Sequence, residues 1–585
     1  MKEASIEREH LYPDLRDWPI YKYHADRKNV VRELDNESYT RIIEDNEELV
    51  DLLQTVLYSE KTRTKKEPWK VDPPNEYAWW RRKEKKLVVA GLNEYNEEEA
   101  ENRRNLLRKI IHRYSEEVVG SFKISTFQFA RRFLTVGFNR FLNAAAGKNL
   151  RRIARAKVKL RDRLIISGQI ERVRTLFPDH HIVICPTHFS NLDSALIGYV
   201  LDGFAGIPHS TYGAGLNLMN SRWVAYFFNR LGVYRVDRRK KNPVYLEVLK
   251  SFSRMAIYRG VNSLFYPGGT RNRSGAIEKS VKLGLLGTTV EAQRRLLEDG
   301  SDKKVIIVPL VLSYHFVLEA KFLVQDHLRR TGKEQYLGAP SRQFSYTRFI
   351  KFLWQLFGST SEIHVAIGQP LDVLGNHINT EGESTTASGT VVNLKDYFER
   401  DSVIVADRQR EREYTKLLGN AVVERFHRDH VVLTSHVVSY VAFRILTQFH
   451  PDLDLYGVLR LVEDDFLFDM ELMQTTIAKV QMKLVGLESE GLVKLSNGVL
   501  EDPCDVLTDG VANMQLYHDK KPLSMTGGRL RSQDFHLLYY YHNRLTGYPL
   551  KKASEVKFAG GVRSVPAARA AMLEVSEAEI LEGVK

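Results

Sequence analysis

Within Cys185–Ser194, CPTHFSNLDS, His188 and Asp193 have the types and the spacing for proton transfer. A five-residue step along one continuous helix would leave two side chains about 140° apart. The pair can therefore cooperate only if His188 sits in a turn and the helix starts near Ser190 or Asn191. Pro186, with the capping-type Ser190 and Asn191, suits such a turn. Asp193 could then hold one imidazole nitrogen while the other takes a proton from a hydroxyl, which is general-base chemistry. Taken alone, a His and an Asp at this distance are more often a structural pair. Cys185 raises a nucleophile reading as well, against which stands its place in an apolar run that suits a buried thiol.

Three cationic blocks follow. In Leu231–Lys241, LGVYRVDRRKK, a short strand after Gly232 should deliver Arg235, Asp237 and Arg238 to one end of a sheet. In Phe265–Gly275, FYPGGTRNRSG, a strand runs into a Gly-rich turn, Gly269 and Thr270 included, that carries Arg271 and Arg273. Backbone N–H groups and guanidinium forks in such a turn can converge on an oxyanion or a phosphate. Lys282 opens the next helical stretch, where the positive dipole end adds to anion affinity. Each arginine read singly is a surface charge or half of an ion pair. Their shared position after strand ends favours a site.

The elements that must hold these groups alternate as in an α/β unit. Candidate strands are His181–Cys185, Val233–Val236, Ser263–Tyr266, Val305–Val311 and Glu362–Ile367. Helices fit at Asn191–Leu201, Arg222–Leu231, Pro243–Arg259 and Leu283–Leu297. The expected fold class is α/β, a central mixed sheet flanked by helices, with helical N-terminal and C-terminal regions. The expected divisions are 1–145 helical, 146–375 α/β, 376–400 a linker rich in Asn, Thr, Ser, Gly and Glu, and 401–585 helical, its last residues from Gly560 onward weakly ordered or capped by a short helix. Between Ile124 and Ala145, apolar residues recur at three- and four-residue steps, and a basic block from Lys148 to Arg163 follows. This combination reads either as an interfacial membrane segment or as a core helix followed by a solvated one. Arg348–Phe357 carries the same two readings.

The chain has 585 residues, with 86 Lys and Arg against 73 Asp and Glu, a net charge of +13 and two cysteines. Two cysteines exclude a disulfide framework and a multi-cysteine zinc site. No apolar run approaches the roughly 18 to 20 residues of a membrane span, and the first residues lack a secretory signal core. A cytoplasmic protein with peripheral membrane contact is expected. The positive excess suits a phosphate-bearing partner such as anionic lipid, a phosphorylated metabolite or a phosphopantetheine carrier. Nucleic acid is disfavoured, because no recognisable RNA- or DNA-binding module accompanies the charge.

The order of these blocks resembles the glycerolipid acyltransferase superfamily, and most of all its large glycerol-3-phosphate and dihydroxyacetone-phosphate members. His188 and Asp193 match the His-x-x-x-x-Asp block, with Thr187 where an Asn often stands. Gly232 through Arg238 is similar to the second block, whose final arginine implies acceptor-phosphate binding. Pro267, Gly269, Thr270, Arg271 and Arg273 resemble the third, usually Phe-Pro-Glu-Gly-Thr-Arg-Ser-Arg. Pro309 resembles the fourth, associated with the acyl-donor side, and Ile367–Leu371 resembles the segment that closes the domain. Gly268 departs from the pattern, because the usual third-block glutamate, which helps hold the acceptor glycerol, is absent. Tyr414–Ile445 and Leu537–Leu545 resemble the C-terminal region of the large members, which favours first acylation over second.

The resemblance implies transfer of an acyl group from acyl-CoA or acyl-carrier protein to glycerol 3-phosphate at an anionic membrane surface. His188 is the implied base, and no metal or redox cofactor is implied. Dihydroxyacetone phosphate and 1-acylglycerol 3-phosphate are the alternative acceptors. A lipid-surface binding protein that has lost catalysis is the alternative of another kind.

Overall fold

The computed structural model of the protein describes residues 8–45, 49–69, 72–90, 97–133, 164–216, 219, 222–332, 362–462, 466–515 and 518–556. Its centre is a seven-stranded sheet of β1 (Leu164–Gly168), β2 (His181–Pro186), β3 (Thr211–Gly215), β4 (Val233–Val236), β5 (Ser263–Leu264), β6 (Val305–Tyr314) and β7 (Ile363–Ile367). The spatial order is β1-β7-β6-β2-β5-β3-β4. Neighbours run parallel except β6 and β7, so the sheet is mixed. Every residue of β2 and β6 is buried, which explains their unbroken apolar runs: helices cover both faces, and no side needs polar residues.

Helices Asp193–Gly203, Arg222–Phe228, Pro243–Tyr258 and Leu283–Glu298 fill the connections. Pro243–Tyr258 starts where its sequence says a helix should, with Pro243 in the first turn and the Asn242 side chain accepting from the Tyr245 N–H. One face of this helix supplies Val244, Tyr245, Val248 and Phe252 to a core shared with Leu34, Leu53, Val56, Trp80 and Ile110 of the N-terminal helices. The core on the sheet continues without a break into the C-terminal helices Arg408–Arg428, Thr434–Phe449 and Phe535–His542.

One expectation needs correction, and one pair of readings is narrowed. Residues 376–400 do not form a loose linker. They hold three short antiparallel strands and a helical turn, Lys395–Phe398, with Ser384 and Phe398 buried. Lys304 Nζ donates to the Gly382 carbonyl at 2.7 Å and ties the segment to the start of β6. The sequence 124–133 is helical, and there its apolar face packs inward: Phe127 is buried and meets the Trp18 ring at 5.0 Å. Phe129 and Phe133 point the other way, 56% and 64% exposed and stacked on each other. Residues 134–145, the basic block from Lys148 to Arg163, the segment Arg348–Phe357 and the tail from Gly560 lie outside the described residues. No described helix is long and apolar enough to cross a membrane.

Candidate active site

The loops after β2, β4 and β5 all leave the C-terminal ends of parallel strands, where an open α/β sheet places its ligands. Because β2 and β5 are neighbours, the His188 loop and the third block lie side by side. The Asn272 N–H donates to the His188 carbonyl at 2.6 Å.

Asp193 opens the helix Asp193–Gly203 and is fully buried. His188 precedes that helix, so the turn expected from the spacing is present. Asp193 Oδ2 lies 2.8 Å from His188 Nδ1 and also accepts the N–H groups of Phe189 at 2.7 Å and Ser190 at 3.0 Å. Asp193 Oδ1 accepts the Tyr314 hydroxyl at 2.7 Å. With a carboxylate at Nδ1, the imidazole carries its proton there and Nε2 keeps a lone pair. Tyr266 stacks on the imidazole with centroids 3.9 Å apart, and its hydroxyl meets Ser194 Oγ at 2.8 Å. The ring is thus held on its edge by Asp193 and on its face by Tyr266.

Glu319, at the end of the loop after β6, binds this turn to the third block. Its carboxylate accepts from Ser190 Oγ at 2.9 Å and from the Asn191 N–H at 3.1 Å, and it pairs with Arg271 at 3.0 Å. Arg273 pairs with Asp326 at 2.5 Å. Arg238 has no ion pair among the described residues. It reaches solvent, yet enclosure by its neighbours and the like charges of Arg271 and Arg273 lower its pKa. Lys282 lies across Gly269, whose φ of +73° is a glycine conformation: a Cβ there would come within 3.0 Å of Lys282 Nζ. Thr270 sits between Gly269 and Arg271 in the same turn.

Two predicted residues stand apart. Arg235 donates from Nε to Asn229 Oδ1 at 2.9 Å and lines a cavity of about 830 Å³ with Trp79, Arg108 and Glu117 of the N-terminal helices. It does not join Arg238. Pro309 is buried in β6, registered with Cys185, and its carbonyl accepts the Gly368 N–H at 2.8 Å. Asp237 is structural: buried, it accepts the Trp69 indole N–H at 3.0 Å and the Arg239 N–H at 3.0 Å. Cys185 is buried in β2 and burial pushes its thiol well up, which removes the nucleophile reading.

The sequence reading missed Tyr266, Glu278, Tyr314, Glu319 and Arg544. Tyr266 lies within the Phe265–Gly275 block and Glu278 just beyond it, and strand-end position was the available signal for Tyr314. Arg544 has no such signal. It comes from the C-terminal region, is 2% exposed, and lies 3.5 Å from the centroid of the Phe189 ring. The same region closes over the loops: Asn543 donates to the Ser274 carbonyl at 2.8 Å, Tyr541 OH accepts the Val317 N–H at 3.0 Å, and His436 Nε2 lies 3.0 Å from the Tyr314 carbonyl. Gly275 allows this closure, because a Cβ there would lie 2.0 Å from the Tyr540 carbonyl oxygen. Glu278 sits between the third block and Arg544, and burial raises its pKa to about 7 against the opposing pull of Arg544 and of the His188 backbone.

A base-type imidazole with an oriented tautomer, beside a cluster of guanidinium groups, can deprotonate a hydroxyl on a molecule anchored by an anionic group. Residues 165–313 match the family model described as Acyltransferase. Glycerol-3-phosphate acyltransferases of Aeromonas hydrophila, Alteromonas mediterranea and Shewanella denitrificans are similar to this chain, with 28%, 27% and 26% identity over 282, 218 and 289 residues. Those alignments cover 46%, 36% and 47% of this chain and 29%, 23% and 30% of the relatives. The matched part is thus less than a third of each relative's length.

Proposed function

We propose that this chain, whose residues 165–313 match the Acyltransferase family model, is a glycerolipid acyltransferase that transfers an acyl group to a hydroxyl of glycerol 3-phosphate. The observation that carries the reading is the His188–Asp193 contact at 2.8 Å beside Arg238, Arg271 and Arg273. His188 Nε2 takes the hydroxyl proton as the oxygen attacks the thioester carbonyl of acyl-CoA or acyl-carrier protein. The tetrahedral intermediate then collapses, the C–S bond breaks, and the thiolate leaves with the proton from His188. The products are an acylglycerol 3-phosphate and a free thiol, so the step balances with donor and acceptor alone.

Asp193 orients the imidazole and stabilises its charge, while the arginines fix the phosphate and hence the hydroxyl. The N–H groups of Phe189, Ser190 and Asn191 already serve Asp193 and Glu319. Donors for the oxyanion are therefore assigned to the third-block turn around Thr270 and Arg271.

The test is thiol release from palmitoyl-CoA, and then from an acyl-carrier thioester, with glycerol 3-phosphate, dihydroxyacetone phosphate or 1-acylglycerol 3-phosphate offered separately. Glycerol 3-phosphate as the preferred acceptor, lost in a folded His188→Ala variant, is the expected result. Preference for another acceptor reassigns the step. Absence of release with every pair overturns the reaction and leaves a lipid-surface binding protein.

Peripheral membrane association belongs to the same proposal. Exposed Phe129, Phe133 and Tyr226 give an aromatic surface on a chain of net charge +13. Flotation with anionic liposomes should fall with salt and weaken in Phe133→Asp; flotation unchanged by both removes this part.

A further inference from the structure

The third block has Gly268 where a glutamate is usual, yet the space beside Gly268 already holds a carboxylate. A Cβ built on Gly268 would lie 3.3 Å from Glu278 Oε1 and 3.6 Å from Glu278 Cγ. Gly268 is not in the left-handed region, so its backbone does not require glycine. A side chain there would instead crowd the Glu278 carboxylate. The two positions thus share one space, and in this chain the side chain that fills it comes from ten residues further along.

The surroundings of that carboxylate are those of a binding group rather than of a packing residue. Glu278 Oε2 is shut off from solvent and has no hydrogen-bond partner among the described residues. A buried carboxylate oxygen left so costs on the order of 1–3 kcal/mol or more, which a donor from a ligand would recover. The carboxylate meets the His188 backbone, one residue's main chain away from the imidazole, and the positive charge of the buried Arg544 guanidinium favours its ionised form. Among the described residues Arg544 Nε and Nη1 also lack partners. A carboxylate with one shielded, unsatisfied oxygen and a buried, incompletely bonded guanidinium therefore lie close to the His188 loop.

We propose that Glu278 is the acceptor-binding carboxylate of this site, transplanted from position 268, and that it accepts a hydrogen bond from a hydroxyl of the polyol phosphate being acylated. This rests on the acyl-transfer reading above. A hydroxyl hydrogen-bonded to Glu278 beside His188 is held relative to the base, and an acceptor lacking that hydroxyl loses the contact. Glu278 thereby selects for polyols, while the arginines select for the phosphate.

The experiment is steady-state kinetics of wild type, Glu278→Ala, Glu278→Gln, Gly268→Glu and the exchange Gly268→Glu/Glu278→Ala, varying glycerol 3-phosphate and the acyl donor separately. Glu278→Ala should raise KM for glycerol 3-phosphate by about 10-fold or more, the size of one hydrogen bond to a charged group, with the donor KM within about twofold. The exchange should recover at least about threefold of that loss, whereas Gly268→Glu alone, with two carboxylates in one space, should be worse than wild type. An acceptor KM within about twofold of wild type in Glu278→Ala overturns the assignment, as does an equal rise for donor and acceptor. Should Glu278→Ala not fold, Glu278→Gln decides, since it keeps the shape and loses the charge: a rise of at least about threefold in acceptor KM supports the assignment, and a smaller one overturns it. Wild type without turnover for any acceptor overturns the reaction itself, and the assignment with it.

Discussion

The guanidinium of Arg544 lies 3.5 Å from the centroid of the Phe189 ring, next in sequence to His188, although the chain runs through the whole C-terminal region between them. A cation over an aromatic face is favourable, and more so when desolvated. Arg544 is nevertheless buried with two nitrogens unpaired among the described residues, so burial cancels much of the gain. Arg544→Met keeps the volume and removes the charge. Its Tm should stay within a few degrees of wild type, since replacing an incompletely paired buried charge with an apolar side chain is often neutral. Activity should fall, because Arg544 opposes the burial that pushes Glu278 up toward 7. The expected signature is a rise of about fivefold or more in acceptor KM at pH 7, partly reversed at pH 8.5 where Glu278 ionises again. A drop in Tm with no such pH rescue would make Arg544 a packing residue.

Asp193 takes four donors: His188 Nδ1, the N–H groups of Phe189 and Ser190, and Tyr314 OH. Asp193→Asn replaces one acceptor oxygen with a donor amide facing donors. Both the imidazole tautomer and the turn should suffer, so kcat should fall by about 10³-fold or more, with a stability loss on the order of 2–4 kcal/mol from the buried mispairing. Tyr314→Phe removes one donor only. It should lower kcat by about 10-fold and leave acceptor KM nearly unchanged. Urea unfolding beside single-turnover thiol release separates the two effects.

Much of this frame is legible in the sequence. β2, β4 and β6 are apolar runs whose length and turn residues delimit them, and Pro243 marks its helix. β1 and β3 could not be read in the same way: Leu164–Gly168 follows a basic block, and Thr211–Gly215, TYGAG, has no apolar run to distinguish it. Both exist because neighbours supply the ladder. The residues 376–400 look like a loop because their few buried side chains, Ile378, Ser384, Leu394 and Phe398, are scattered among polar ones. The four blocks were legible because each is local. Glu319 and Arg544 were not, since their contacts with Ser190, Arg271 and Phe189 arise only when separate segments meet at the sheet end.

Arg235 and Arg238 separate strand from loop. Along β4 successive side chains alternate faces, and Arg235 ends up beside Asn229 and the N-terminal helices, whereas Arg238 lies beyond the strand near Arg271 and Arg273. Arg271 and Arg273 are tied to Glu319 and Asp326. Arg238 is therefore the guanidinium with charge to spare. Arg238→Ala should raise KM for glycerol 3-phosphate by about 30-fold or more, on the scale of a charge-assisted contact, and Arg235→Ala should leave it within about twofold. Arg271→Ala should mainly lower kcat, because it releases Glu319 and with it the His188 turn. Equal effects of Arg235→Ala and Arg238→Ala on acceptor KM would contradict this division.

Acid should weaken the fold well above the pH at which carboxylates titrate. His24, His181 and His209 are held neutral by burial, each with its pKa lowered to about 4. In the unfolded chain they titrate near about 6.5, so between those values the unfolded state binds protons that the folded state refuses. Stability is then complete above about pH 7 and falls as pH drops, by about 1.4 kcal/mol per pH unit for each such histidine. Urea midpoints should be level from pH 7 to 8 and decline steeply from pH 6.5 to 5. His24 tests the cause, because both its ring nitrogens are buried without a partner among the described residues and Tyr23 meets its ring edge-on at 5.2 Å. His24→Phe removes the titration and keeps an aromatic ring in that contact. It should leave stability at pH 8 equal or higher and reduce the decline below pH 6.5 by the share of one proton. An unchanged slope in His24→Phe would assign the acid sensitivity to other groups.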